Sequence, residues 1–108
     1  MAQDFRNVLV RTIGTGDTTL LAGGDYDAVI GIRCCNITTS TIAIDVKIAK
    51  GGADYFLAKG VSVPPNSAIE LIQGGAKIVL DSGDTLEAVS SASSSLDVVL
   101  SYIDTISS

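Results

Sequence analysis

The stretch Thr41-Ile42-Ala43-Ile44-Asp45-Val46-Lys47-Ile48 decides the fold class. Ile42, Ile44, Val46 and Ile48 occupy alternate positions, with Ala43, Asp45 and Lys47 between them. Successive side chains of an extended chain point to opposite faces, so this spacing makes one face apolar and the other polar. Branching at Cβ restricts χ1 and suits a pleated surface. The segment is therefore a half-buried β-strand. Lys50-Gly51-Gly52-Ala53 follows, and its paired glycines predict a hairpin turn. Residues 54–59 form the return strand.

The same grammar extends in both directions. Upstream, β-formers at residues 6–13 end at Gly14-Thr15-Gly16-Asp17, and those at 18–22 end at Gly23-Gly24-Asp25. Residues 27–37 form a long apolar run. Downstream, Pro64-Pro65-Asn66-Ser67 is a turn. Residues 68–72 admit two readings. Ser67 and Glu70 have capping-box spacing and Gly74 could stop a helix, but a helix of about seven residues is marginal in water. A strand is the reading taken. Residues 77–80, the turn Asp81-Ser82-Gly83-Asp84 and residues 85–90 follow. The serine-rich run at 90–95 has apolar segments on both sides, which predicts a solvated hairpin loop rather than a linker. Residues 96–103 are the last strand. Eight or nine short strands without a long amphipathic helix predict an all-β, single-domain antiparallel sandwich, jelly-roll-like. The domain is expected to span residues 6–108, with residues 1–5 as a flexible N-terminal arm.

Composition narrows the partners. Of 108 residues, 46% are hydrophobic and only 5% aromatic, so the core is aliphatic. Seven basic residues against twelve acidic ones leave a net charge of −5, which repels phosphate backbones and anionic membranes. Nucleic acid and membrane are therefore not expected partners. No apolar run approaches the roughly 20 residues that cross a bilayer as a helix. Residues 1–6 lack the basic-then-apolar pattern of a secretory leader. Cys34 and Cys35 are neighbours, so in a strand they face opposite ways and are expected to be free thiols, one buried and one on the other face.

Chemistry is sparse. With no histidine, the usual nucleophile–base triad is excluded, and the cysteines lack a metal-binding spacing. The acidic residues Asp17, Asp25, Asp27, Asp54, Asp81 and Asp84 sit in turns, where a short carboxylate bonds nearby backbone N–H groups. Asp25 with Asp27, or Asp81 with Asp84, is a weak candidate for calcium, since neither pair belongs to the twelve-residue loop with a terminal glutamate. Gly14-Thr15-Gly16 lacks the third glycine of a dinucleotide loop. Asn36-Ile37-Thr38 has the form of a glycosylation acceptor and is read as chance. No catalytic residue, cofactor or metal is expected. Tyr55 and Phe56 face opposite ways on one strand. One is expected in the core, and core packing of both is the blander reading; an exposed one would anchor an interface. Residues 28–37 and 96–103 are apolar on both faces, so Val99 and Ile103 are interface candidates as well. Asp25, Tyr26 and Asp27 form a candidate ligand loop for a glycan-binding or fibre-type adhesion module, the alternative function.

The order of features over residues 27–104 resembles small virion structural proteins of marine tailed phages, especially cyanophages. The resemblance lies in the strand pair at 29–37 and 42–48, then Gly51-Gly52-Ala53-Asp54-Tyr55-Phe56-Leu57 and Val61-Ser62-Val63-Pro64-Pro65-Asn66-Ser67. Leu80-Asp81-Ser82-Gly83-Asp84-Thr85-Leu86, the serine-rich run at 90–95 and Asp97-Val98-Val99-Leu100-Ser101-Tyr102 complete it. The resemblance implies a β-sandwich without catalytic residues, made in the host cytoplasm and found in the virion. It would decorate or cement the capsid, or build tail or neck parts. Strands apolar on both faces need cover, so the expected partners are copies of itself, as a homo-oligomer such as a trimer, docked on a larger capsid or tail protein.

Overall fold

Nine strands form two antiparallel sheets in the computed structural model, which describes residues 4–22, 27–72 and 78–104. They are β1 (Asp4–Ile13), β2 (Thr18–Ala22), β3 (Asp27–Asn36), β4 (Ile42–Lys50), β5 (Ala53–Val63), β6 (Ala68–Glu70), β7 (Ile78–Leu80), β8 (Thr85–Ser90) and β9 (Leu96–Asp104). The first sheet runs β1-β9-β3-β6, with β7 also on β3, and the second runs β2-β8-β4-β5. The chain pairs as one long hairpin rolled over itself: β4 with β5, β3 with β6 and β7, β2 with β8, and β1 with β9. This is the jelly-roll arrangement expected from the sequence.

Register explains the core. In the second sheet Ile44 and Val46 of β4 lie opposite Ser90 and Ala88 of β8, and Ile42 opposite Val63 of β5. In the first sheet Ile32 and Cys34 lie opposite Leu100 and Val98. These alternate residues face one another between the sheets and are buried. A buried aliphatic side chain of this size stabilises the fold by roughly 1.5–3 kcal/mol. Gly51 and Gly52 have φ of 59° and 84° at the β4–β5 corner, the left-handed values that a two-residue hairpin needs.

The structure differs from the sequence reading at several places. β1 begins at Asp4, so residues 4 and 5 belong to the first sheet, while residues 1–3 lie outside the described residues. The return strand β5 extends to Val63 because two bulges add residues without breaking its pairing to β4. Residues 90–95 do not close a hairpin: β8 and β9 belong to different sheets, and the serine run crosses between them. Its polar groups are used there. The Ser90 and Ser95 hydroxyls hydrogen-bond each other, the Ser95 hydroxyl also donates to the Ala92 carbonyl at 2.7 Å, and Ser95 N–H donates to the Ile13 carbonyl at 3.0 Å. Low sequence complexity hid a knitted crossover.

Candidate functional site: the outer face of the first sheet

The outer face of the first sheet carries apolar residues in register. Phe5 on β1 lies opposite Ile103 on β9, Ile103 opposite Ala28 on β3, and Ala28 opposite Val79 on β7. One apolar row therefore crosses four strands. A second row starts with Leu9 opposite Val99 and ends in Arg33 opposite Glu70, whose side chains form an ion pair at 3.2 Å. Between them runs a row of small or polar residues, Asn7-Ser101-Gly31. It makes a furrow with shallow depressions of about 590 Å³ beside Phe5 and Ile30, and about 280 Å³ over Gly31 and Val99. Phe5 is 76% exposed and Leu9 67%. Val79 and Val99 are also exposed, and Ile103 is partly so.

The outer face of the second sheet has a different chemistry. Lys47 Nζ lies 3.1 Å from Asp17 Oδ1, 3.1 Å from Asp54 Oδ2 and 4.0 Å from Glu87 Oε1. Hydrogen bonds to Asp17 and Asp54 push the Lys47 pKa up despite its burial, so the amine stays protonated and offers no lone pair. Phe56 packs beneath cations, with Lys59 Nζ 4.3 Å from its ring centre. At the other acidic turn, Lys50 Nζ sits 3.4 Å from Asp81 Oδ2 and 3.5 Å from Asp84 Oδ1. Its pKa is raised by the Asp81 hydrogen bond and then by the Asp84 charge. A lysine ammonium thus stands where the weak calcium reading would put the ion. Among the described residues no group of three or more His, Cys, Asp or Glu side chains could hold a metal.

The sequence-stated candidates are therefore divided. Val99 and Ile103 share the outer face of the first sheet. Tyr55 and Phe56 belong to the second, and neither joins the core: Tyr55 is 59% exposed and Phe56 44%. Tyr55 pairs with Ile48 near the hairpin tip, beyond the cover of the facing sheet, and Phe56 is on the polar outer face. The ligand-loop candidates fare differently. Asp25 and Tyr26 lie outside the described residues, whereas Asp27 opens β3 opposite Leu80 and is buried, 3% exposed. It cannot reach a ligand from a loop. Phe5, Leu9 and Val79 were missed as site residues. The run of β-formers at 6–13 marked a strand, but which of its faces points outward is known only once its partner is.

The Asn36-Ile37-Thr38 sequence has a structural explanation. Asn36 is fully buried, and its Nδ2 donates to the carbonyls of Ser40, Val63 and Pro64 at 2.7, 3.0 and 3.2 Å. Its Oδ1 accepts from Thr38 N–H at 2.9 Å and from the Thr38 hydroxyl at 2.7 Å. The amide stitches the end of β3 to the start of β4 and the end of β5, and no glycan fits on it in the folded chain.

No protein-family model matches the chain, and neither does any curated protein. Solved structures do. A chain of the T13 viral particle of infectious bursal disease virus aligns with a TM-score of 0.56, at 11% identity, over 95% of this chain and 31% of that one. A chain of the VP2 subviral particle of the same virus aligns at 0.51, with 12% identity, over 95% and 33%. A chain of the disulfide-linked pili of Bacillus endospore appendages aligns at 0.49, with 18% identity, over 98% and 88%. The chain thus spans about a third of either viral chain. What the viral likeness establishes is the fold: two antiparallel sheets in an all-β sandwich, shared with chains of an icosahedral virus particle.

Proposed function

We propose that this chain is a non-enzymatic structural subunit of a tailed-phage virion. It assembles as a homo-oligomer that seats on a larger capsid, tail or neck protein. The observation that carries the reading is the apolar outer face of the first sheet, where Phe5-Ile103-Ala28-Val79 and Leu9-Val99 lie in register beside a furrow. Exposed apolar rows on a small domain call for cover, and a protein face supplies it. The polar face of the second sheet, with its lysine-centred ion pairs, suits the solvent side. Two further observations support the reading. The fold recurs in viral particle chains, although fold alone does not carry function. The lysines among the carboxylates are held protonated, which leaves them without basic or nucleophilic character.

Quantitative mass spectrometry of purified virions tests this. The chain is expected in many copies per particle, and cryo-electron microscopy then decides between capsid, tail and neck. A chain absent from washed virions would overturn the proposal.

A further inference from the structure

The edges of the two sheets are guarded differently. β5 is interrupted by two bulges, and Gly60 within one of them has φ of 63°. Such irregularities spoil an edge for pairing with another chain. β1 is regular from Asp4 to Val10, with its irregularity placed after Val10. Among the described residues its far edge has no strand partner. The segment holds no proline, and its exposed Phe5 and Leu9 both lie on the outer face.

We infer that the β1 edge pairs antiparallel with β1 of a second copy, about a two-fold axis through Asn7, joining two first sheets into one continuous sheet. This rests on the reading of an assembling subunit and names its first contact. Directly opposed residues of an antiparallel pair share a face, so a two-fold that keeps the outer faces continuous must pass through a residue position. Centring on Asn7 sets Phe5 of each copy opposite the partner's Leu9. Opposed side chains of this kind have Cβ atoms about 4.5–5.5 Å apart and form the unit of sheet stabilisation. The apolar row Val79-Ala28-Ile103-Phe5 then runs on into the partner's Leu9-Val99 row, so pairing unites the two rows of the candidate face. Charge allows it. The whole chain carries −5, but residues 4–11 hold one acidic and two basic residues, Asp4, Arg6 and Arg11. Arg6, next to the axis, has Asp104 Oδ2 at 3.0 Å from its Nε, which offsets its cation.

The test uses the full chain in light scattering and sedimentation, with circular dichroism to follow folding. The wild type is expected at twice the chain mass, in place of the trimer expected from the sequence. Phe5→Lys alone and Leu9→Glu alone are expected to shift it to monomer, since each sets a charge against an apolar partner. The two substitutions combined in one chain should restore the dimer, because the new cation of each copy then opposes the new carboxylate of the other. Positions 5 and 9 lie about 13 Å apart along one strand, too far to pair within a chain. A wild-type monomer or trimer, dimers that persist in both single variants, or a combined variant that folds yet stays monomeric would each overturn the inference. Virion mass spectrometry separates this from the functional reading: a chain absent from virions that still obeys the pattern sinks only that reading, and a virion-borne chain that violates it sinks only the two-fold.

Discussion

The backbone N–H of Gly60 donates to Asp45 Oδ1 at 2.7 Å, across the bulge that kinks β5 away from regular pairing. Asp45 is thus the residue that holds the irregular edge in place, with Lys59 Nζ 4.0 Å from its other oxygen. Gly60→Ala meets no neighbour within 4 Å but must adopt φ of 63° with a Cβ, so it is expected to lose about 1–2 kcal/mol. Asp45→Ala, losing one hydrogen bond, should lose about 1 kcal/mol. Urea unfolding measures both. A neutral Gly60→Ala would mean that the bulge is not set by this conformation.

Asn36 carries a larger share. Removing its fully buried side chain strips donors from three carbonyls and an acceptor from Thr38, and at least the Val63 carbonyl is left in a buried setting. Buried polar groups left unpaired cost about 1–3 kcal/mol. Asn36→Ala is expected to destabilise by roughly 3 kcal/mol, and Thr38→Ala by about 1 kcal/mol, since the latter keeps the three carbonyl bonds. Equal effects in thermal and urea unfolding would remove Asn36 from this role.

How far the sequence could be read follows from which forces are local. The period-two pattern at 41–48 and the Gly51-Gly52 corner carry their own instructions, and β4 and the hairpin came out as expected. Cys34 and Cys35 point to opposite faces for the same reason. The crossover at 90–95 was misjudged because its serines bond Ile13 and Ala43 partners from distant strands, which no window reveals. Tyr55 and Phe56 were expected to supply at least one core side chain. Tyr55 is exposed because the facing sheet stops short of it, and Phe56 because the β4–β5 register turns it to the outer face, both tertiary properties. Phe5 and Leu9 became part of a face through the pairing of β1 with β9, a contact between the two ends of the chain.

Lys47 should matter more than any other lysine described. Its Nζ meets three carboxylates from β5, β8 and the β1–β2 connection, and its removal leaves them facing one another. Lys47→Met is expected to destabilise the fold clearly more than Lys59→Met, because Lys59 is more exposed and has one carboxylate at 4.0 Å. The sign with pH follows from the raised pKa. Stability from Lys47 is fully present below about 10.5, the unfolded value, and fades as pH rises through the higher folded value. The gap between wild type and Lys47→Met in denaturant midpoint should hold to about pH 10 and close above it. A gap that widens at high pH would contradict this assignment.

The two adjacent thiols should behave as different chemical species. Burial, and then the charge of Glu70, push the Cys34 thiol up to about 12, and the side chain has no exposed surface. Thiolate is the reactive form, so Cys34 should resist Ellman's reagent until the chain unfolds, while partly exposed Cys35 on the outer face reacts in the native state. The same shift sets an alkaline limit. Below pH 9 both folded and unfolded chains keep this proton, and the contribution of Cys34 is intact. Between 9 and 12 the unfolded chain releases it and the folded chain retains it, so stability falls by about 1.4 kcal/mol per pH unit. Cys34→Val keeps the buried volume and removes the titration. The stability of wild type minus that of the variant should be flat up to pH 9 and decline from there to 12. A difference that stays level across that range, or a Cys34 that labels as fast as Cys35 in the folded chain, would place the thiol outside the core.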